Sequence, residues 1–281
     1  VGQPRAMRAW RSLAEWQGEA EAVLADERLS AAAVDDARVL AGACAICGAS
    51  TGFASDGAGD MREGLRCLGC GCNARQRAAA SVLLDALDGS GGTQPRVYLS
   101  EQASALFVAL RRRRRIRRLE GSEYVPGFAR RLRMGLWLLR RGVAARIRHR
   151  DLTALDFEDA SLDAAMSLDV LEHIPDYGAA LREFARVLRP GGALVFTVPF
   201  YDSQARSETI ARACADGTVE FSGEPEYHGD PRGGGIPCFH HFGWDLPDAL
   251  RQAGFGDAAL LRVRQPAHGI PGGLWVVRAV R

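Results

Sequence analysis

Asp151 to Phe200 reads DLTALDFEDASLDAAMSLDVLEHIPDYGAALREFARVLRPGGALVFTVPF, and its grammar is strand, helix, strand. Leu162 to Leu168 is short and, apart from Asp163, apolar or small, as a buried parallel strand requires. Asp169 closes it with an acid where such a strand meets solvent. Leu181, Phe184, Ala185 and Leu188 then fall at i, i+3, i+4 and i+7, which predicts a helix with one apolar face and with Arg182, Glu183 and Arg186 off it. Pro190-Gly191-Gly192 is expected to stop that helix, and Ala193 to Val198 to form the next strand, covered on both faces.

Outward from this stretch, the composition is that of a globular protein. The chain has 281 residues, 47% hydrophobic and 25% charged, enough for one large domain or two smaller ones. The net charge of +2 gives no overall pull towards nucleic acid or acidic membranes. All 36 basic residues are arginine, so arginine-rich stretches carry less meaning than usual. No apolar run approaches the roughly 20 residues of a membrane helix, and the amino terminus lacks the apolar core of a signal peptide, so a cytoplasmic protein is expected.

Residues 1–43 read as helices, from Trp10, Leu13 and Trp16 to a segment Ala31 to Ala41 with Ser30 as its N-cap. Residues 44–92 follow as a small module. Cys44-Ala-Ile-Cys47-Gly48 and Cys67-Leu-Gly-Cys70-Gly71 are two knuckles nineteen residues apart. This spacing suits two turns converging on one tetrahedral metal, and four thiolates favour structural zinc, with no open position for catalysis. Cys72 is a fifth thiol nearby, and the spacing favours Cys70 over it. Asn73 to Leu87 reads as an amphipathic helix, and Gly89, Gly91, Gly92 and Pro95 as the boundary to a larger domain at 93–281.

Asp151-Leu152, Asp169-Val170-Leu171-Glu172-His173 and Arg186-Val187-Leu188-Arg189-Pro190-Gly191-Gly192 together resemble the second half of a class I S-adenosylmethionine-dependent methyltransferase domain. The resemblance implies a Rossmann-like α/β sheet of seven strands with helices on both faces. Arg96 to Leu99 would be its first strand, Ala145 to His149 its third, and Ala258 to Arg264 with Leu274 to Val280 its closing antiparallel pair. The family's glycine-rich first loop is replaced here by Ser100-Glu101-Gln102-Ala103-Ser104-Ala105, so Ser100, Glu101 and Gln102 become the cofactor contacts, with Glu101 placed to receive the cofactor's ammonium. Glu123, followed by Tyr124, takes the place of the acid that accepts hydrogen bonds from the ribose hydroxyls. Asp151 resembles the acid that reads the adenine amino group, with the Leu152 N–H on a ring nitrogen, and Asp169 and Val170 face the reacting centre. His173 is a candidate general base with a structural role as the alternative.

Three further features complete the reading. A helix over 101–118 ends in Arg111 to Arg115 and Arg117-Arg118, either a phosphate-binding patch or a solvated helix end, the second being favoured. Arg130 to Arg141 reads as a basic helix that covers the sheet or forms a lid. An insertion at 201–242 holds Tyr227, His228, His240 and His241, candidate substrate contacts or bases; a second metal site from Cys238, His240 and His241 has no paired spacing behind it. The knuckles, Asn73-x-Arg75-x-Arg77, Ser122-Glu123-Tyr124 and Glu226-Tyr227-His228-Gly229-Asp230 are similar to a bacterial group of zinc-knuckle class I methyltransferases. The expected activity is methyl transfer from S-adenosylmethionine to a small molecule, with specialised metabolism as one setting. The alternatives are methylation of RNA or of a sugar carbon, another reaction of the bound cofactor, or a catalytically inactive binding module. Oligomeric state is not readable.

Overall fold

The computed structural model describes residues 7–35, 39–57, 60–89, 94–112, 116–229 and 235–281. Its centre is one seven-stranded sheet: β1 (Met7–Trp10), β2 (Arg96–Leu99), β3 (Arg118–Gly121), β4 (Leu162–Leu168), β5 (Leu188–Thr197), β6 (Asp257–Gln265) and β7 (Ile270–Val280). The order is β1-β6-β7-β5-β4-β2-β3. Strands β3, β2, β4 and β5 run parallel, and β7, β6 and β1 continue antiparallel.

Side chains alternate across the sheet, so each strand feeds two cores. Val97 and Leu99 join Ala164, Met166 and Val195 under helices α2 (Ala74–Gly89), α3 (Ala105–Arg111) and the cysteine module. Tyr98 joins Ala165, Leu194 and Phe196 on the other face, under α1 (Leu13–Asp35), α5 (Tyr177–Val187) and α6 (Leu246–Gln252). Helix α4 (Phe128–Arg140) lies beyond β3 and buries Leu138 alone. This is the Rossmann-like sheet with helices on both faces that the sequence implies.

Several elements depart from expectation. Met7–Trp10 is an edge strand, not helix; Trp10 packs edge-on against Trp16 and Trp275 at 5.1 and 5.7 Å. Helix α1 runs unbroken through Ser30, so no helix begins there. The expected helix over 101–118 is only α3, and Arg118 already belongs to β3; Ser104 caps α3 by accepting from the Phe107 N–H. Helix α5 ends at Val187 before Pro190-Gly191-Gly192, because the residue before a proline is pushed out of the helical region. Those three residues lie inside β5, where Gly192 has the Arg189 carbonyl 2.8 Å from the position of a Cβ.

The expected third strand at Ala145 to His149 is reduced to a single bridge between Glu123 and His149. The buried Gln102 side chain takes the place of a ladder here, donating to the Arg146 carbonyl and accepting from the Arg148 N–H. The sheet reaches seven strands through β1 at the opposite edge. The closing pair β6 and β7 is as expected.

Candidate active site and metal centre

The four cysteines come together. Cys44 and Cys70 sulfurs stand 3.8 Å apart, as do those of Cys47 and Cys67, and all four lie within 4.8 Å of one another. A tetrahedron with Zn–S bonds of about 2.3 Å has edges of about 3.8 Å. Gly48 and Gly71 turn the knuckles at φ of 76° each, a left-handed conformation that glycine adopts without a Cβ clash. A hydrogen bond to Cys70 and burial push the Cys44 thiol far above its ordinary range, so a metal cation is what would make this cluster ionise. Cys72 is buried outside the cluster, and its carbonyl accepts from the Cys67 N–H.

The module is stapled to the β6–β7 turn. Arg77, fully buried, donates to the carbonyls of Cys72, Leu65, His268 and Gly269, and its guanidinium lies 4.4 Å from the Phe53 ring centre. The module is also linked to the tip of β4 by ion pairs. From the one-turn helix Met61–Gly64, Arg62 reaches Asp169 at 2.7 and 2.9 Å, and Arg75 at the start of α2 stands 3.2 Å from the same carboxylate. Glu63 pairs with both arginines. Burial would raise the Asp169 pKa, but Arg75 and Arg62 outweigh it and hold the carboxyl below its usual range. Asp169 adopts φ of 49° at the tip of β4, fixed by its N–H on the Thr197 carbonyl and its Oδ1 on the Thr197 hydroxyl. Such left-handed backbone in a non-glycine residue costs free energy and concentrates at functional sites.

Asp169 lines a cleft of about 730 Å3 at the carboxyl ends of β4, β5 and the start of β7, together with Arg62, Glu63, Arg75, Glu172, His173, Phe200, His228 and Trp275. Val170, half-buried, does not line the cleft and packs instead on the core that holds Phe184 and Phe196. His173 and His228 face one another with ring centres 5.4 Å apart, and both stand 3.9 Å from Glu172. Tyr227 is not part of this cleft: it is exposed and packs on Phe221. His240 is buried with its nitrogens on Thr209 and on the carbonyls of Ile174 and Pro175, a structural arrangement. Cys238 clusters with Glu226 and His228 instead of with His240 and His241. Asp230, Gly233 and Gly234 lie outside the described residues, as do Arg113 to Arg115.

Next to the cleft is a row of acids. Glu123, just past β3, accepts from the N–H groups of Gln102 and Ala103 at 2.7 and 2.6 Å through Oε1, so the glycine-free loop wraps a carboxylate. Burial pushes its pKa up against those two bonds. The Gln102 side chain is taken up by the Arg146 carbonyl and the Arg148 N–H. Ser100 donates to the Ser167 hydroxyl, beside the tips of β2 and β4. Glu101 Oε1 is shut off from solvent with no hydrogen-bond partner, and burial pushes the carboxyl up to about 7 against the pull of Arg75. Asp151 is exposed and closes its own turn through the Thr153 N–H and hydroxyl, Leu152 is buried, and Tyr124 is exposed against the His149 ring. Acids with an unpartnered oxygen suit a ligand that carries ammonium and sulfonium charges.

Sequence reading missed Arg62 and Glu63. Nothing marks a one-turn helix in a cysteine-module loop as part of an active site, whereas Glu226 and Glu172 were legible only as members of longer motifs.

Comparison with known proteins gives partial matches. Over 134 residues the chain is 34% identical to an uncharacterized 37.1 kDa protein of transposon Tn4556 from Streptomyces fradiae, covering 45% of this chain and 36% of that protein. Over 44 residues it is 48% identical to the 27-O-demethylrifamycin SV methyltransferase of Amycolatopsis mediterranei, covering 16% of each. The chain thus spans well under half the length of these curated relatives. An S-adenosylmethionine-dependent methyltransferase structure from Mesorhizobium loti superposes with a TM-score of 0.47 at 19% identity, covering 73% of this chain and 98% of that one. Residues 103–196, from the end of the glycine-free loop through β5, match the family model described as a methyltransferase domain.

Proposed function

We propose that the protein transfers a methyl group from S-adenosylmethionine to a small molecule bound in the cleft beside Asp169. The observation that carries this reading is the row of acids at the carboxyl ends of β2, β3 and β4, inside or beside the segment that matches the methyltransferase family model. Ligands of open α/β sheets bind at that edge. Glu123 would accept the ribose hydroxyls through Oε2, its Oε1 being held by the loop, and Asp151 with the Leu152 N–H would hold the adenine. Glu101 would take the ammonium through its unpartnered Oε1. Methyl transfer from a sulfonium is an in-line displacement, so alignment of the acceptor in a closed cleft supplies much of the rate. A cleft of about 730 Å3 suits a small acceptor. The four-cysteine module would hold a structural zinc that fixes the loop carrying Arg62 and Glu63 to the cleft wall.

Calorimetric titration of Glu123→Gln and Asp151→Ala with S-adenosylmethionine tests the assignment. Glutamine keeps an acceptor oxygen for the loop but loses the charge, so a fold loss there is avoided. At least a tenfold loss of affinity is expected in each; unchanged affinity in both overturns it.

A further inference from the structure

Glu172 presents an anomaly that the cofactor does not account for. It is fully buried, and neither carboxylate oxygen has a hydrogen-bond partner, a costly condition for an acid. What faces it are two imidazoles, His173 Nε2 and His228 Nδ1, each 3.9 Å from Oε1. The outer nitrogens of both rings are already assigned. His173 Nδ1 stands 2.7 Å from the Pro237 carbonyl, which only accepts, so that nitrogen carries the proton. His228 Nε2 lies 2.6 Å from Glu226 Oε1, a carboxylate oxygen that accepts its proton, and Glu226 Oε2 lies 2.7 Å from His241 Nε2. In their neutral forms both rings therefore turn a lone pair towards the same buried carboxylate. Three electron-pair donors converge with nothing between them, and each histidine has the backbone carbonyl or carboxylate behind it that orients a metal-bound imidazole.

We propose that Glu172, His173 and His228 bind one divalent first-row metal ion, distinct from the four-cysteine site, whose open positions hold a hydroxyl of the acceptor in the cleft. One carboxylate and two imidazoles with free positions suit Mn2+, Fe2+, Co2+ or Zn2+. Donors on one such ion are about 3–3.5 Å apart, so a closure of roughly 0.5–1 Å by side-chain rotation forms the site. The backbone is set for it: the Phe239 N–H on the Glu172 carbonyl ties the insertion to the turn after β4, and the Cys238 N–H on the Glu226 carbonyl holds the insertion's own strands together. The acceptor role rests on the methyl-transfer reading above. The ion acidifies the hydroxyl, which loses its proton to water; the oxygen–methyl bond forms as the sulfonium–methyl bond breaks, leaving a neutral thioether. Phenolic or vicinal hydroxyls, which chelate, are the substrate class this predicts.

The test is titration of protein zinc-loaded at its four cysteines with Co2+, followed by visible absorption and calorimetry, in the absence of S-adenosylmethionine so that its outcome is independent of cofactor binding. One further Co2+ per chain is expected, with a nitrogen and oxygen spectrum free of thiolate charge transfer. Affinity should fall more than tenfold in Glu172→Gln and His228→Ala, and about 10–100-fold in Glu226→Gln. Cys238→Ser should change nothing. Pyrocatechol should shift the Co2+ bands of the wild type. No Co2+ beyond the zinc, or equal affinity in Glu172→Gln, overturns the site; a thiolate band lost in Cys238→Ser places the ion on Glu226, His228 and Cys238 instead; absence of the pyrocatechol shift overturns the acceptor role.

Discussion

Burial and charge are in conflict at Glu101. Its carboxyl is raised from an ordinary 4.5 to about 7 chiefly by burial, so the fold favours the neutral form. The stability this contributes is complete below the unfolded value and is lost as pH rises through about 7. Glu101→Gln should therefore raise the melting temperature at pH 8, leave it little changed at pH 5, and flatten the pH dependence between them, read by thermal denaturation across pH. A bound ammonium reverses the preference. S-adenosylmethionine affinity should fall in the wild type as pH drops below about 7, and Glu101→Gln should show the weaker affinity at every pH. Asp169 was legible as a strand-tip residue because motif and position coincide: it closes a recognisable apolar run. Gln102 was not, since nothing in its neighbours announces that a side-chain amide replaces a strand ladder. Arg62 and Glu63 were equally silent, their partners lying far along the chain.

At the level of elements, the cysteine module is a working wall of the cleft. Its arginines from Met61–Gly64 and α2 meet at Asp169, and Arg77 pins it to the β6–β7 turn. Stripping the proposed zinc should lower the melting temperature, expose four thiols to a thiol reagent, and weaken cofactor binding; melting with and without chelator, with thiol counting, checks this. Gly269 is the contact point. It has φ of 72° and the Phe53 ring 2.5 Å from the position of a Cβ, so Gly269→Ala should destabilise by about 2–4 kcal/mol in chemical denaturation, the sum of left-handed strain and overpacking. Strand β4 and the closing pair were readable because continuous apolar runs between turn signals leave little choice. Met7–Trp10 was misread since Trp10, Leu13 and Trp16 keep helical spacing although the first belongs to a strand; the tertiary partner Trp275 decides, and it lies 265 residues away.

Over the whole molecule, one sheet divides two cores, and the functional groups gather where its parallel strands end. Phe184 on α5, fully buried in the core opposite the cysteine module, should cost about 3–5 kcal/mol on change to alanine, by urea denaturation, while metal content stays unchanged. Among the described residues no helix is long and apolar enough to cross a membrane. Arg111 and Arg112 donate to the carbonyls of Leu119 and Arg141, so this end of the arginine run is tied to the fold's own backbone. The sheet order follows from strand character and motif order, whereas the joining of cleft and cysteine module depends on contacts between distant segments that no local pattern encodes. The most direct measurement is calorimetric titration of the folded, zinc-loaded protein with S-adenosylmethionine and with S-adenosylhomocysteine. Saturable binding of both, one per chain with micromolar affinity, is the predicted result; binding of neither contradicts the methyl-transfer reading.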